Sequence, residues 1–190
     1  MRSTPRRRDS GLGTRDSGLG GHESRVPSPE SRLSIRAAAA DDLETVLAFR
    51  LALLREHAGN PVYGRLRADA PERARRLFAA QLVAPDEVTF LAERGRCAVG
   101  VLRCMESRGS PLLDPSRYGY VASVYVVPAE RRRGVLHALL DAAAQWCTTR
   151  DLDEMRLHSA ADNDVGNAAW DALGFTVVEH LRTRAVPRSR

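Results

Sequence analysis

Between Val124 and Leu140 the hydrophobic period of the chain changes once, and Pro128 and Gly134 mark the change. Tyr118–Val127 reads as a strand that stops at Pro128, which has no N–H to continue a sheet ladder. The loop Arg131-Arg132-Arg133-Gly134 follows. A helix then runs over about Gly134–Thr149, with Leu136, Leu139, Leu140, Ala143, Trp146 and Cys147 on its apolar face. A strand feeding directly into an amphipathic helix calls for helix packed on sheet. The helix start also presents unpaired backbone N–H groups and about half a positive charge from the helix dipole, an arrangement that suits phosphate. Arg131, Arg132 and Arg133 add charge there, and Gly134 lets the backbone approach an anion closely. Taken alone, the same run is equally a solvated stretch of surface arginine.

The remaining pattern is mixed α and β. Leu33–Ala37 reads as a strand, and Asp41 or Asp42 caps a helix with apolar positions Leu43, Val46, Leu47, Leu51 and Leu54. His57-Ala-Gly-Asn-Pro61 breaks that helix, and a second runs from Pro71 to about Leu82. Val88–Glu93 and Cys97–Cys104 flank Arg94-Gly95-Arg96 as a hairpin, with a polar loop at Glu106–Ser116. After the long helix come a strand at Glu154–Ser159, a short helix at about Gly166–Leu173 and a last strand at Thr176–Leu181. A mixed sheet with helices on its faces accommodates this order.

Composition sets the remaining bounds. Hydrophobic residues make up 43% of 190, within the globular range, and no apolar run approaches the roughly 20 residues a membrane span needs. No apolar stretch follows the arginines of Met1–Arg8, so a secretory signal is not expected and a cytoplasmic protein is. All 29 basic residues are arginine, which suggests a GC-rich bacterial genome. The net charge of +5 sits at the ends: residues 33–181 hold 18 Arg against 20 acids. That distribution argues against a nucleic-acid partner. Residues 1–32 carry the near-repeat Arg8-Asp-Ser-Gly-Leu-Gly-Thr, Arg15-Asp-Ser-Gly-Leu-Gly-Gly, and read as a disordered basic tail or a start codon placed too far upstream. Residues 182–190 read as an Arg-rich tail. Cys97, Cys104 and Cys147 lack metal-site spacing, so no metal is expected and all three read as buried thiols.

About 30 residues beyond the arginine run lies Asn163-Asp-Val-Gly166-Asn-Ala-Ala-Trp170-Asp-Ala-Leu-Gly174-Phe175. With Arg131-Arg-Arg-Gly134-Val-Leu136 upstream, and the opening Ser34-Ile-Arg-Ala-Ala, this resembles the GNAT superfamily of acetyl-CoA-dependent N-acetyltransferases over residues 33–181. The resemblance implies a GNAT-like mixed α/β fold, with a splayed central sheet of about six or seven strands and helices on both faces. It implies acetyl-CoA as cosubstrate, its pantetheine paired with the backbone of Val124, Tyr125 and Val126. The pyrophosphate is expected on the N–H groups of Arg131, Arg132, Arg133, Gly134, Val135, Leu136 and His137, with Asn163 and Trp170 completing the cofactor residues. The acetyl group passes directly to a primary amine of a small molecule or a peptide. Members of the family often form homodimers, which leaves a homodimer open here, and no membrane partner is expected. The alternative is a non-catalytic acyl-CoA-binding sensor or scaffold.

Two positions depart from the family pattern. Leu136 stands where Gly or Ala is preferred, and Trp170 where many members have a tyrosine that protonates the departing thiolate; an indole N–H does not supply that proton near neutral pH. His158, at the end of the second cleft strand, is the candidate base by position. Tyr120 and Tyr125 are candidates to reach the thiol. Glu56, His57 and Tyr63 close the first helix and its loop, where the family shapes the acceptor pocket.

Overall fold

The computed structural model describes residues 32–187, which form one open sheet with helices on both faces. β1 (Leu33–Ala37), β2 (Glu87–Arg94), β3 (Cys97–Arg108), β4 (Arg117–Val126) and β5 (Met155–Leu157) lie side by side in chain order. β1 to β4 pair antiparallel, and β4 pairs with β5 in parallel. Parallel neighbours need a crossover; it is supplied by α3 (Val135–Thr148).

α1 (Leu43–Glu56) and α2 (Ala70–Gln81) cover one face, where Val46, Leu47, Phe49 and Phe78 pack on Leu91 and Val101. α3 covers the other face with Val135, Leu139, Leu140, Ala143 and Cys147 buried. Each large apolar side chain so buried contributes about 1.5–3 kcal/mol. α4 (Asp164–Ala172) adds Trp170 to this second core, beside Leu173 and Phe175 from the turn that follows. The expected long-helix face is borne out, while on α1 Phe49 joins the core from outside the predicted positions.

α1 starts where a 3-10 turn at Ala40–Asp42 ends. Asp42 accepts the Ala39 N–H at 2.8 Å and two bonds from Arg36, and Arg36 also donates to Glu93. β1, β2 and the start of α1 are thereby joined by one guanidinium.

Three expectations need correction. Among the described residues the sheet has five strands, not six or seven. Thr176–Leu181 forms no strand: Val177, Val178 and Leu181 are 73–83% exposed, and no neighbouring strand supplies the ladder that β-branched residues need. Cys97 is exposed at the start of β3, whereas Cys104 and Cys147 are buried with their sulfurs 3.8 Å apart. The tail at residues 1–32 falls outside the described residues except for Arg32, as does the end of the tail at 182–190.

Candidate functional site

β4 and β5 part company after three paired residues. Gly119, Tyr120 and Val121 lie opposite Met155, Arg156 and Leu157, and residues 122–126 of β4 have no strand beyond them on that side. A bulge in β4 coincides with the parting. Val101 pairs with Tyr125 and Arg103 with Ala122, so β4 spends one extra residue there, and Ser123 takes the left-handed φ of 54°. The result is a wedge-shaped cleft with one unpaired strand edge, which an extended amide-bearing chain can join as an added strand would.

The bulge also resets which side chains share a face. Val121 and Val124 both pack on the α3 side, although they are three apart, and Tyr125 packs on the α1 side against Phe49, with ring centroids 5.8 Å apart. Tyr120, next to Val121, points to that same α1 side, where its electrostatic neighbours include Tyr63 and Arg103. The Tyr120 hydroxyl lies 2.6 Å from His158 Nδ1, where the two strands part. Burial raises the Tyr120 phenol above its ordinary value, so it stays protonated as a donor. The structure thus brings the predicted Tyr120 and His158 together, and keeps Tyr125 apart from them under the Arg131 guanidinium, 5.6 Å from the ring centroid.

Where β4 ends, a 3-10 turn at Pro128–Glu130 leads to α3. Glu130 is held by Arg94 at 2.9 Å and Arg133 at 2.7 Å. Arg132 and Gly134 take φ of 59° and 79°, and this pair of left-handed residues swings the chain into the helix. The helix hydrogen bonding opens with Ala138 N–H on the Gly134 carbonyl at 3.1 Å, so the N–H groups of the first turn lack intrahelical acceptors. A Cβ at Gly134 would meet nothing within 4 Å, so the space in front of this terminus is open. The N–H of Arg131, predicted among the phosphate donors, is instead spent inside the turn on Pro128 at 3.3 Å.

Leu136 turns its side chain into the α3 core, so the departure from the family pattern leaves the front of the helix clear. Val135 is buried beside it, and His137 lies exposed, 3.5 Å from Asp141. Trp170 is a core residue, edge-on to Phe175 at 5.6 Å. Asn163 caps α4, its Oδ1 accepting the Gly166 N–H at 3.0 Å. On the other wall, Glu56 binds Arg131 at 2.6 Å, and Arg131 also donates to the Val126 carbonyl at 2.9 Å. His57 and Tyr63 stack edge-on at 6.2 Å in the loop after α1. A groove between α1, α2 and the sheet reaches Ser123; its lining residues Arg50, Gln81 and Arg103 were not singled out from the sequence. Arginine at the polar turns of a helix or strand carries no signal that it faces a neighbour rather than water.

A family model described as the Acetyltransferase (GNAT) family matches residues 51–175. An aminoglycoside N(6')-acetyltransferase type 1 from Acinetobacter haemolyticus is 33% identical over 68 residues, 36% of this chain and 47% of that protein. The chain therefore spans about half the length of this curated relative. Two solved structures superpose over most of their length. One, a predicted acetyltransferase from Clostridium acetobutylicum with acetyl-CoA, gives a TM-score of 0.68 at 17% identity, covering 81% of this chain and 96% of its own. The other, AAC(6')-Iy in complex with the bisubstrate analog CoA-S-monomethyl-acetylneamine, gives 0.62 at 22%, covering 83% and 100%. At such identities the likeness concerns the fold.

Proposed function

Because the chain belongs to the GNAT family of acetyltransferases, we propose that it transfers the acetyl group of acetyl-CoA directly to the primary amine of a small molecule. The observation that carries the reading is the strand edge freed at the β4 bulge and followed, one 3-10 turn and a short loop later, by an open helix N-terminus. Bound there, acetyl-CoA supplies a thioester whose carbonyl carbon accepts the amine nitrogen as the C–S bond breaks.

The residues present suit that cosubstrate. The edge of Val124–Val126 matches the pantetheine amides, and the first turn of α3, Gly134 and Arg132 match the pyrophosphate. Arg131 holds the Val126 carbonyl in this structure; a pantetheine N–H replaces that bond when it pairs with the strand edge. His158 takes a proton from the incoming ammonium, and Tyr120, kept protonated by burial, donates to the departing thiolate. This pair answers the loss of the tyrosine at Trp170, which was the motive for the non-catalytic alternative. Protons balance: the one His158 takes from the ammonium passes to solvent, and the one the nitrogen sheds as the amide forms restores Tyr120 after it protonates the thiolate, so each turnover releases one proton.

Calorimetric titration of the full chain with acetyl-CoA and with desulfo-CoA tests the reading, followed by thiol release in an amine panel. Micromolar binding of both, with turnover, is expected. Absence of binding by either would remove the proposal.

A further inference from the structure

Arg50 is a half-buried charge on the α1–α2 face with no carboxylate partner among the described residues. The side chain lines a groove of about 350 Å³ enclosed by α1, the loop before α2, α2 itself and the β3–β4 pair. Five arginines line it, Arg50, Arg65, Arg67, Arg73 and Arg103, and no carboxylate does. Asp69, just outside the lining, accepts from Arg67 at 3.0 Å and Arg73 at 2.7 Å, and Glu87 pairs with Arg103. Arg50 and Arg65 have no ion pair or hydrogen bond among the described residues. Burial pushes the Arg50 guanidinium below its ordinary value; the nearby Tyr63 opposes this in part, and the neighbouring Arg103 adds to it.

A half-buried cation without a counter-charge costs free energy that a bound anion recovers. The guanidinium fork matches two oxygens of a carboxylate or a phosphate. The position of the groove gives the anion a role, because it reaches Ser123, the residue that forms the β4 bulge. An anion there lies on the side of β4 that also carries Tyr120 and His158. Gln81 also lines the groove, and its Oε1 is buried with no hydrogen-bond partner among the described residues.

We propose that the acceptor is a small amine bearing its own carboxylate or phosphate, with the anion held by Arg50, supported by Arg65 and Arg103, and the amine presented to His158. The proposal rests on the acetyltransferase reading above and names its substrate class. It sets this chain apart from the relatives whose names specify aminoglycosides, since those compounds carry several ammonium groups and no anion, and the unpaired Arg50 and Arg65 repel them.

The test is thiol release by the full chain from acetyl-CoA with leucine, phosphoethanolamine, leucinamide and kanamycin. Leucine or phosphoethanolamine should exceed leucinamide and kanamycin by about tenfold or more in kcat/KM, the scale of one charge-assisted hydrogen bond. Which of the two leads assigns the anion as carboxylate or phosphate. In R50Q the preference for acid over amide should collapse toward one, and R65Q, on the exposed loop, should reduce it partway. Equal rates for acid and amide, or kanamycin as the best acceptor, would overturn the proposal while leaving the transferase reading intact. If no amine turns over, calorimetry with N-acetylleucine and N-acetylleucinamide decides: preference for the acid, lost in R50Q, supports the anion site, and equal binding or none overturns it.

Discussion

Gly119 sits where α3 presses on the closed end of the cleft, and replacing it with alanine isolates a packing cost. Its N–H bonds the Glu154 carbonyl at 2.9 Å, and it pairs with Met155, so its backbone is ordinary strand that alanine adopts without strain. An added Cβ would land well inside contact distance of Cys147 Sγ, with Cys104 Sγ and Met155 Cγ at 3.5 Å. Cys147 is 2% exposed, so its sulfur has no free space to move into, and α3 must shift. Overpacking by one methyl in a closed core costs about 1–3 kcal/mol. At a urea dependence of about 2 kcal/mol per molar, the unfolding midpoint of Gly119→Ala should fall by about 0.5–1.5 M with an unchanged slope. Cys147→Ala alone removes a buried sulfur and should cost about 1 kcal/mol. In the double variant the alanine methyl occupies the space the sulfur vacates, so a double-mutant cycle should show a favourable coupling of at least about 1 kcal/mol. If Gly119→Ala costs as much in the Cys147→Ala background as in the parent, the contact between them is not the source and the reasoning fails.

Two further outcomes are expected. The Arg36 guanidinium holds the Asp42 carboxyl below its usual value, so its contribution is present above the unfolded carboxylate pKa of about 3.9 and fades as pH falls through the lower folded value. Urea unfolding should therefore find Asp42→Asn less stable than the parent by about 1 kcal/mol at pH 7, a gap that closes below about pH 4; a gap independent of pH would refute the assignment. Tyr120→Phe and His158→Asn should each lower kcat by about 10²-fold while acetyl-CoA affinity by calorimetry stays within twofold, and a double variant should cost little more than either alone if the two act as a unit.

The strand-to-helix switch at Pro128–Gly134 was legible in the sequence because its causes are local. Proline ends a ladder, glycine takes a left-handed φ, and the apolar spacing from Leu139 to Cys147 selects one helix face. The same holds for the hairpin at Gly95, whereas Asn163, expected among the cofactor residues, caps α4. The family resemblance rests on those segments; His158 and Tyr120 were candidates by their positions on the two cleft strands, with nothing to show that they meet. What lay beyond the sequence depends on register or on distant neighbours. The extra residue at Ser123 decides that Tyr120 and Tyr125, of opposite parity, share a face, and no period in the sequence announces it. The direction of Leu136 follows from where α3 docks. Thr176–Leu181 has strand composition, yet a strand exists only with a partner, and the fold supplies none. The net acidic balance of residues 33–181 averages away five arginines that α1, α2, the loop before α2 and β3 gather around one groove. Short-range chemistry was written in the chain; which charges face each other was settled by packing, because a guanidinium's neighbours come from elements as far as 75 residues apart.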